Sequence, residues 1–339
     1  MDEKRRVTRE NHDGCAGRVG DDINLVNSTP HARDNAANQA GSFFIPLPKA
    51  CSFEQQLEKM KRRGVIVSDE DAAIRRLRDL NYYRLRGYWL TLERDDVFLD
   101  NTSFDDIWDI YRLDQGLRRW LWQAIAPIEI KLRTSFAYEF ARRCGPAAYL
   151  EPKFYHNHSL FERALENYER ERDRAYRHGV AFVVHNMDRY GKLPVWAAVE
   201  VMSFGTLSMF YGNLDLAVGT DGHGLGLSES IASAFGTRQR YLKSWSHHLT
   251  TVRNIVAHHG RLYNRSMTIK PRLLRRDSAY ASGKQFPTFL IVKRLYEQSW
   301  PEEWDRLGAE LNECIEGCPE VDLDPMGFPP GWKRILNLR

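Results

Sequence analysis

The sequence predicts an all-α protein, and three observations carry that prediction. Leu117, Leu121, Ile125, Ile128 and Leu132 step by 4, 4, 3 and 4, which places them on one face of a helix. Helix-start signatures precede apolar-periodic stretches at Ser68-Asp69-Glu70-Asp71 and Ser103-Phe104-Asp105-Asp106, where an N-cap serine is followed three positions on by a carboxylate. No alternating β pattern of useful length occurs, apart from a weak one at Val180 to Val184.

In chain order, residues 1–42 are rich in Asn, Asp, Gly, Arg and Ser without periodic apolar residues, so a disordered polar tail is expected. Phe43-Phe44-Ile45-Pro46-Leu47-Pro48 opens a folded domain over 43–339, helical nearly throughout from Ser52. Within Asn81–Trp89, Tyr82, Leu85 and Trp89 form a core stripe at helical spacing, with Gly87 allowing close packing. The competing arrangement stacks those aromatics on unpaired bases and sets Arg84 and Arg86 on phosphates. Pro127 predicts a kink or irregularity in its helix. Glu162 to His178 is a charged, solvent-exposed helix, and the apolar region Pro194–Tyr211 reads as a buried helical hairpin. Glu200, Ser203, Gly205 and Thr206 interrupt that region, which is too short and broken for a membrane span. Ala217–Leu227 is rich in glycine but follows no strand, so it is a flexible connector and not a phosphate cradle.

A length of 339 residues allows one large or two medium domains, and 42% apolar with 12% aromatic residues fills a core. Five scattered cysteines argue against a disulfide framework and for a reducing compartment. Cys314 and Cys318 have no second Cys/His pair nearby, which is poor zinc spacing. Polar residues follow Met1-Asp2-Glu3-Lys4-Arg5-Arg6, so export is not expected and a cytoplasmic location is.

The net charge of +4 conceals an uneven distribution. Ser230 to Arg276 contains no Asp or Glu, yet carries ten Lys or Arg residues and four of the eleven histidines. An acid-free basic field with imidazoles at its centre suits a polyanion and proton transfer near neutral pH, and RNA is the expected partner. Arg238, Arg240, Lys243, Arg261, Arg265 and Lys270 are the expected RNA-binding residues. The bland alternative is a solvated Lys/Arg face.

At the centre lies Arg253-Asn254-Ile255-Val256-Ala257-His258-His259. Trp245, Leu249, Val252 and Val256 step by 4, 3 and 4, so a helix with one buried face runs into it, and Gly260 is the expected C′ residue. RNA is cut without metal when a base takes the 2′-hydroxyl proton, a cation stabilises the phosphorane and an acid protonates the leaving 5′-oxygen. His258 suits the acid or base role, Arg253 the phosphate clamp, Asn254 an orienting bond to the imidazole or phosphate, and His259 a second proton carrier. Asn254 and His258 share a face, but Arg253 and His258 are about 140° apart on an ideal helix. Either the helix loosens, the long Arg side chain swings to a shared phosphate, or a second copy supplies the partner group. Zinc on His247, His248, His258 and His259 is the rival chemistry, weakened by the want of a local carboxylate. No cofactor or metal is expected.

Residues 253–265, Arg-Asn-Ile-Val-Ala-His-His-Gly-Arg-Leu-Tyr-Asn-Arg, resemble the signature of the bacterial Abi-like (abortive infection) family, related to the AbiD/AbiF phage-resistance proteins. Their Arg-X4-His is similar to the motif of HEPN-superfamily ribonucleases. Asn81–Trp89, Ile128–Thr134, Leu193–Trp196 through Phe204–Ser208, and Met326–Pro329 with Trp332 resemble further blocks of that family, so the resemblance runs over roughly residues 45 to 335. It implies a HEPN-like helical bundle with additional helices, a homodimer, a metal-independent endoribonuclease acting in phage defence, and a small RNA as a further partner. It assigns the catalytic positions to Arg253 and His258 and the polar position to Asn254. Some HEPN proteins bind RNA without cutting it. The alternative is therefore a non-catalytic RNA-binding or protein-interaction module of a defence or toxin-antitoxin system.

Overall fold

The computed structural model describes residues 49–218 and 225–338. The polar segment 1–42, the Phe43–Pro48 opening and residues 219–224 of the glycine-rich stretch lie outside the described residues. Among the described residues the fold is all-α, with thirteen α-helices and one two-stranded hairpin.

Its central element is α4 (Phe104–Cys144), 41 residues in length, hence about 60 Å long. Ser103 starts it with a capping box: its hydroxyl accepts from the Asp106 N–H at 3.1 Å, and the Asp106 carboxylate accepts from the Ser103 N–H at 2.7 Å. Leu117, Leu121, Ile125, Ile128 and Leu132 are each at most 1% exposed, so the predicted stripe is the core seam. The helix continues through Pro127. Packing outweighs the lost backbone bond there, since Ala124 and Ile128 are buried and the Tyr296 hydroxyl donates to the Ala124 carbonyl at 2.9 Å.

Preceding α4 are α1 (Phe53–Arg62), α2 (Glu70–Asp79) and α3 (Tyr82–Trp89). The α2 cap is Asp69, whose carboxylate accepts from the Ala72 N–H at 2.8 Å, and not Ser68, whose hydroxyl donates to Asp105 at 3.3 Å. Strands β1 (Glu93–Arg94) and β2 (Val97–Phe98) pair across Asp95 and Asp96, both in the left-handed region. Two-residue strands carry no readable alternation.

After α4 come α5 (His158–Arg177), charged outward with Phe161, Ala164 and Tyr168 buried, and α6 (Ala181–Tyr190). The latter overrides the weak β pattern at 180–184, because Val183 packs into the core. Next are α7 (Val195–Val201), α8 (Phe204–Gly212), α9 (Leu227–Ser233) and α10 (Gln239–Ala257). The apolar region is not a self-paired hairpin: α7 lies on α4 and α5, whereas α8 lies on α10 and α5. The chain closes with α11 (Phe286–Ser299), α12 (Pro301–Glu316) and α13 (Trp332–Ile335). No helix among the described residues is long and apolar enough to cross a membrane.

Candidate functional site

Helix α10 buries Leu242, Trp245, Leu249, Val252 and Val256 and leaves Arg240, Lys243, His247, Asn254 and His258 exposed. It stays regular to its last turn, where the His258 N–H donates to the Asn254 carbonyl at 3.1 Å. Of the three alternatives, loosening of the helix does not occur. The chain then closes with Gly260 N–H to Ile255 C=O at 2.7 Å and His259 N–H to Val256 C=O at 3.2 Å, the paired bonds of a Schellman motif. The left-handed residue is His259, at φ 55°, and not Gly260. Gly260 instead supplies the outer bond, and a Cβ on it would sit 3.1 Å from the Ile255 carbonyl.

Two arginines from earlier helices fix this turn. The His259 carbonyl accepts from the Arg84 guanidinium of α3 and from Arg118 Nη1 of α4 at 3.3 Å. Beyond it, the fully buried Asp114 accepts from the Leu262 and Tyr263 N–H groups at 2.8 and 2.7 Å and from the Tyr88 hydroxyl at 2.8 Å, and pairs with Arg118 Nε at 3.0 Å. Burial, and then the Asp114 charge, raise the Tyr88 pKa well above the usual phenol range, so Tyr88 remains a donor. Arg261 packs over Gly87, where a Cβ would come within 3.1 Å of Nε, and its Nη1 donates to the Tyr263 carbonyl at 2.5 Å. Burial lowers the Arg261 pKa. Arg265 donates to the Arg261 carbonyl at 3.4 Å.

Asn81–Trp89 is therefore a structural block. Leu85, Tyr88 and Trp89 are buried, Tyr82 is only partly so, Arg84 grips the His259 carbonyl and Arg86 pairs with Asp96 at 3.5 Å.

Arg253 turns toward α4. Its Nε lies 3.5 Å from Glu129, and its guanidinium lies 5.6 Å over the Trp122 ring. The second Glu129 oxygen bonds Arg133 at 2.5 Å, and Arg133 in turn donates to the carbonyls of Val199 and, at 2.8 Å, Met202. A field free of carboxylates in sequence thus holds one in space. The Asn254 side-chain carbonyl oxygen accepts from Arg253 at 3.4 Å, so of its two expected roles the bond to the imidazole is not formed. Among the described residues no hydrogen bond, ion pair or ring contact joins Arg253 to His258. Sequence reading missed Glu129 and Trp122 as neighbours of Arg253; both come from α4, and no local pattern signals the contact.

The four histidines do not converge. His248 is buried, its Nδ1 donates to the Ile269 carbonyl at 2.5 Å, and Nε2 is left to accept from the Thr288 hydroxyl at 2.8 Å. Burial lowers its pKa to about 4, so it stays neutral, whereas His247, His258 and His259 are exposed. The six expected RNA-binding cations also divide. Arg238, Arg240, Lys243 and Lys270 are exposed and form no ion pair with any described residue, while Arg261 and Arg265 are turned into the loop.

Comparison with curated proteins and with solved structures gives no significant match. The sequence profile of one family does match, over residues 75–264, more than half of the 339. That span holds Arg84, Asp114, Glu129, Arg253 and His258 together with Leu262 and Tyr263, whose amides Asp114 secures. The chain belongs to the Abi-like protein family.

Proposed function

We propose that the protein is an abortive-infection effector that cuts RNA without metal through Arg253 and His258, as a HEPN-type endoribonuclease. The observation that carries this reading is an exposed His258 imidazole at the end of α10, on a turn whose next backbone carbonyl, that of His259, is fixed by Arg84 and Arg118, with Arg253 of the same helix braced on Glu129 and Trp122. Membership of the Abi-like family supports the defence role.

In the reaction a base takes the proton of a 2′-hydroxyl and its oxygen attacks the adjacent phosphorus. Arg253 stabilises the charge on the phosphorane, the 5′-oxygen leaves with a proton from an acid, and a 2′,3′-cyclic phosphate remains. His258 serves as acid or base, and His259 is the second proton carrier. Glu129 holds the Arg253 fork, and Asn254 extends its polar edge. Because Arg253 and His258 do not meet within one chain, a homodimer supplies the missing partner across a shared cleft. The exposed Trp122, Ile130 and Tyr138 of α4 offer apolar area for that contact.

The test is cleavage of a single-stranded RNA in EDTA by wild type, Arg253→Ala and His258→Ala. Each variant is expected to lose about 10²–10⁴-fold in rate at unchanged helicity. Undiminished cleavage by both overturns the reading, and an active monomer in sedimentation overturns the shared cleft. The second reading, a non-catalytic RNA-binding or partner-binding module, is favoured by the Arg253–Glu129 ion pair, which occupies the phosphate clamp. Binding without cleavage would establish it.

A further inference from the structure

We infer that a single strand of RNA runs along the outward face of α10 to His258, on a track made by Arg240, Lys243 and His247 together with Lys270 and Arg272. This rests on the reading of the site as one that handles RNA, and adds the path of the strand and two residues, His247 and Arg272, that were not among the expected RNA-binding residues.

Three observations converge. At 100° per residue, Arg240, Lys243, His247, Thr251, Asn254 and His258 fall within an arc about 80° wide, and all but the half-buried Thr251 are exposed. A second row flanks the first. Residues 269–272 run antiparallel beside the helix, tied by the His248–Ile269 bond at 2.5 Å, by Trp245 Nε1 to the Arg272 carbonyl at 2.7 Å and by the Arg272 N–H to Ser244 at 2.7 Å. Lys270 and Arg272 stand exposed on that segment.

The third observation is the absence of neutralisation. Arg240, Lys243, Lys270 and Arg272 have no ion-pair partner among the described residues and no carboxylate interleaved in their sequence, whereas the likewise unpaired Arg163 and Arg174 of α5 are interleaved with Glu162, Glu166 and Asp173, and Arg306 and Lys61 are directly matched by glutamates. Lys243 is also held in place, its stem lying along the backbone of Gly212. Unpaired cations cost little in water but gain strongly from a row of phosphates through counterion release.

Dimensions point to one strand. Arg240 to His258 spans about 27 Å at 1.5 Å per residue, room for several nucleotides of one strand. The two rows lie on adjoining elements within about one helix diameter of 10 Å, the width of one phosphate line and not of a duplex read across its minor groove.

Fluorescence anisotropy with a twelve-nucleotide single-stranded RNA at several salt concentrations tests the track. Arg240→Glu with Lys243→Glu, and Lys270→Gln with Arg272→Gln, are compared with Arg163→Glu and Arg174→Glu on α5. Each track pair is expected to weaken binding at least tenfold and to flatten the salt dependence by about 0.7 log unit for each phosphate no longer engaged. The control pair leaves both unchanged, and His247→Ala weakens binding less than either track pair. Equal effects of track and control pairs, tighter binding of duplex RNA, or unaltered binding by all track variants overturns the inference. Cleavage is scored separately. RNA bound on the track but never cut refutes the enzyme reading and leaves the track standing; cleavage lost only on changing Arg253 or His258, with binding indifferent to the track, does the reverse.

Discussion

The outward face of α10 and the loop at 261–267 are equally basic in sequence and opposite in structure. On the helix, Arg240 and Lys243 have no carboxylate beside them; in the loop, Arg261 and Arg265 are folded inward among backbone carbonyls while Asp114 secures the amides of Leu262 and Tyr263. The difference comes from outside the window, since Asp114 reaches the loop across 148 residues of chain. A cation free to meet a ligand and a cation used as a girder have the same local sequence.

The sharpest way to break that contrast is Asp114→Ala. It strips acceptors from two amides, a phenol and a buried guanidinium, and is expected to cost about 3–5 kcal/mol of unfolding free energy. Urea unfolding measures it, and a loss below about 1 kcal/mol would show that the loop is not latched. His248 gives a smaller, pH-dependent effect. Its folded pKa is lowered to about 4 from 6.5, so the unfolded chain takes the proton first. Stability is then whole above about pH 6.5 and falls as the pH drops toward and below 4, by about 3 kcal/mol in all. In His248→Gln this part of the acid slope should vanish; an unaltered slope assigns the loss to other groups. The smallest effect belongs to the open face: Arg240→Ala or Lys243→Ala should change stability by no more than about 0.5 kcal/mol. A larger change in thermal unfolding would mean that these cations are girders too.

Much of the fold was legible because long, one-sided helices write their period into the chain. The Leu117–Leu132 stripe and the Ser103 cap were readable for that reason, and so was the buried face of α10. The site was readable only along its own helix. Arg253, Asn254, His258 and His259 lie at one end of α10, but their neighbours Arg84, Arg118, Trp122 and Glu129 come from α3 and α4, and nothing local in the sequence pairs them. Residue preference alone puts the left-handed turn at Gly260, whereas the arginines on the His259 carbonyl set the turn one residue earlier. Arg261 and Arg265 are indistinguishable from Arg240 until Gly87 and Tyr263 come into view.

Asp114, Arg118, Trp122, Glu129 and Arg133 all sit on α4, within an arc of about 100°. One uninterrupted rod therefore sets the spacing of these contacts, from the latch on the loop to the brace on Arg253, with Arg84 of α3 the one addition from another helix. Such an arrangement has a single register. One residue added between Arg118 and Trp122 would swing the brace about 100° away from the latch and shift it about 1.5 Å along the axis, so that the loop and the arginine could no longer be served by the same helix. Continuity through Pro127 matters on the same account: a break there would divide the rod just ahead of Glu129 and leave two pieces free to drift out of phase.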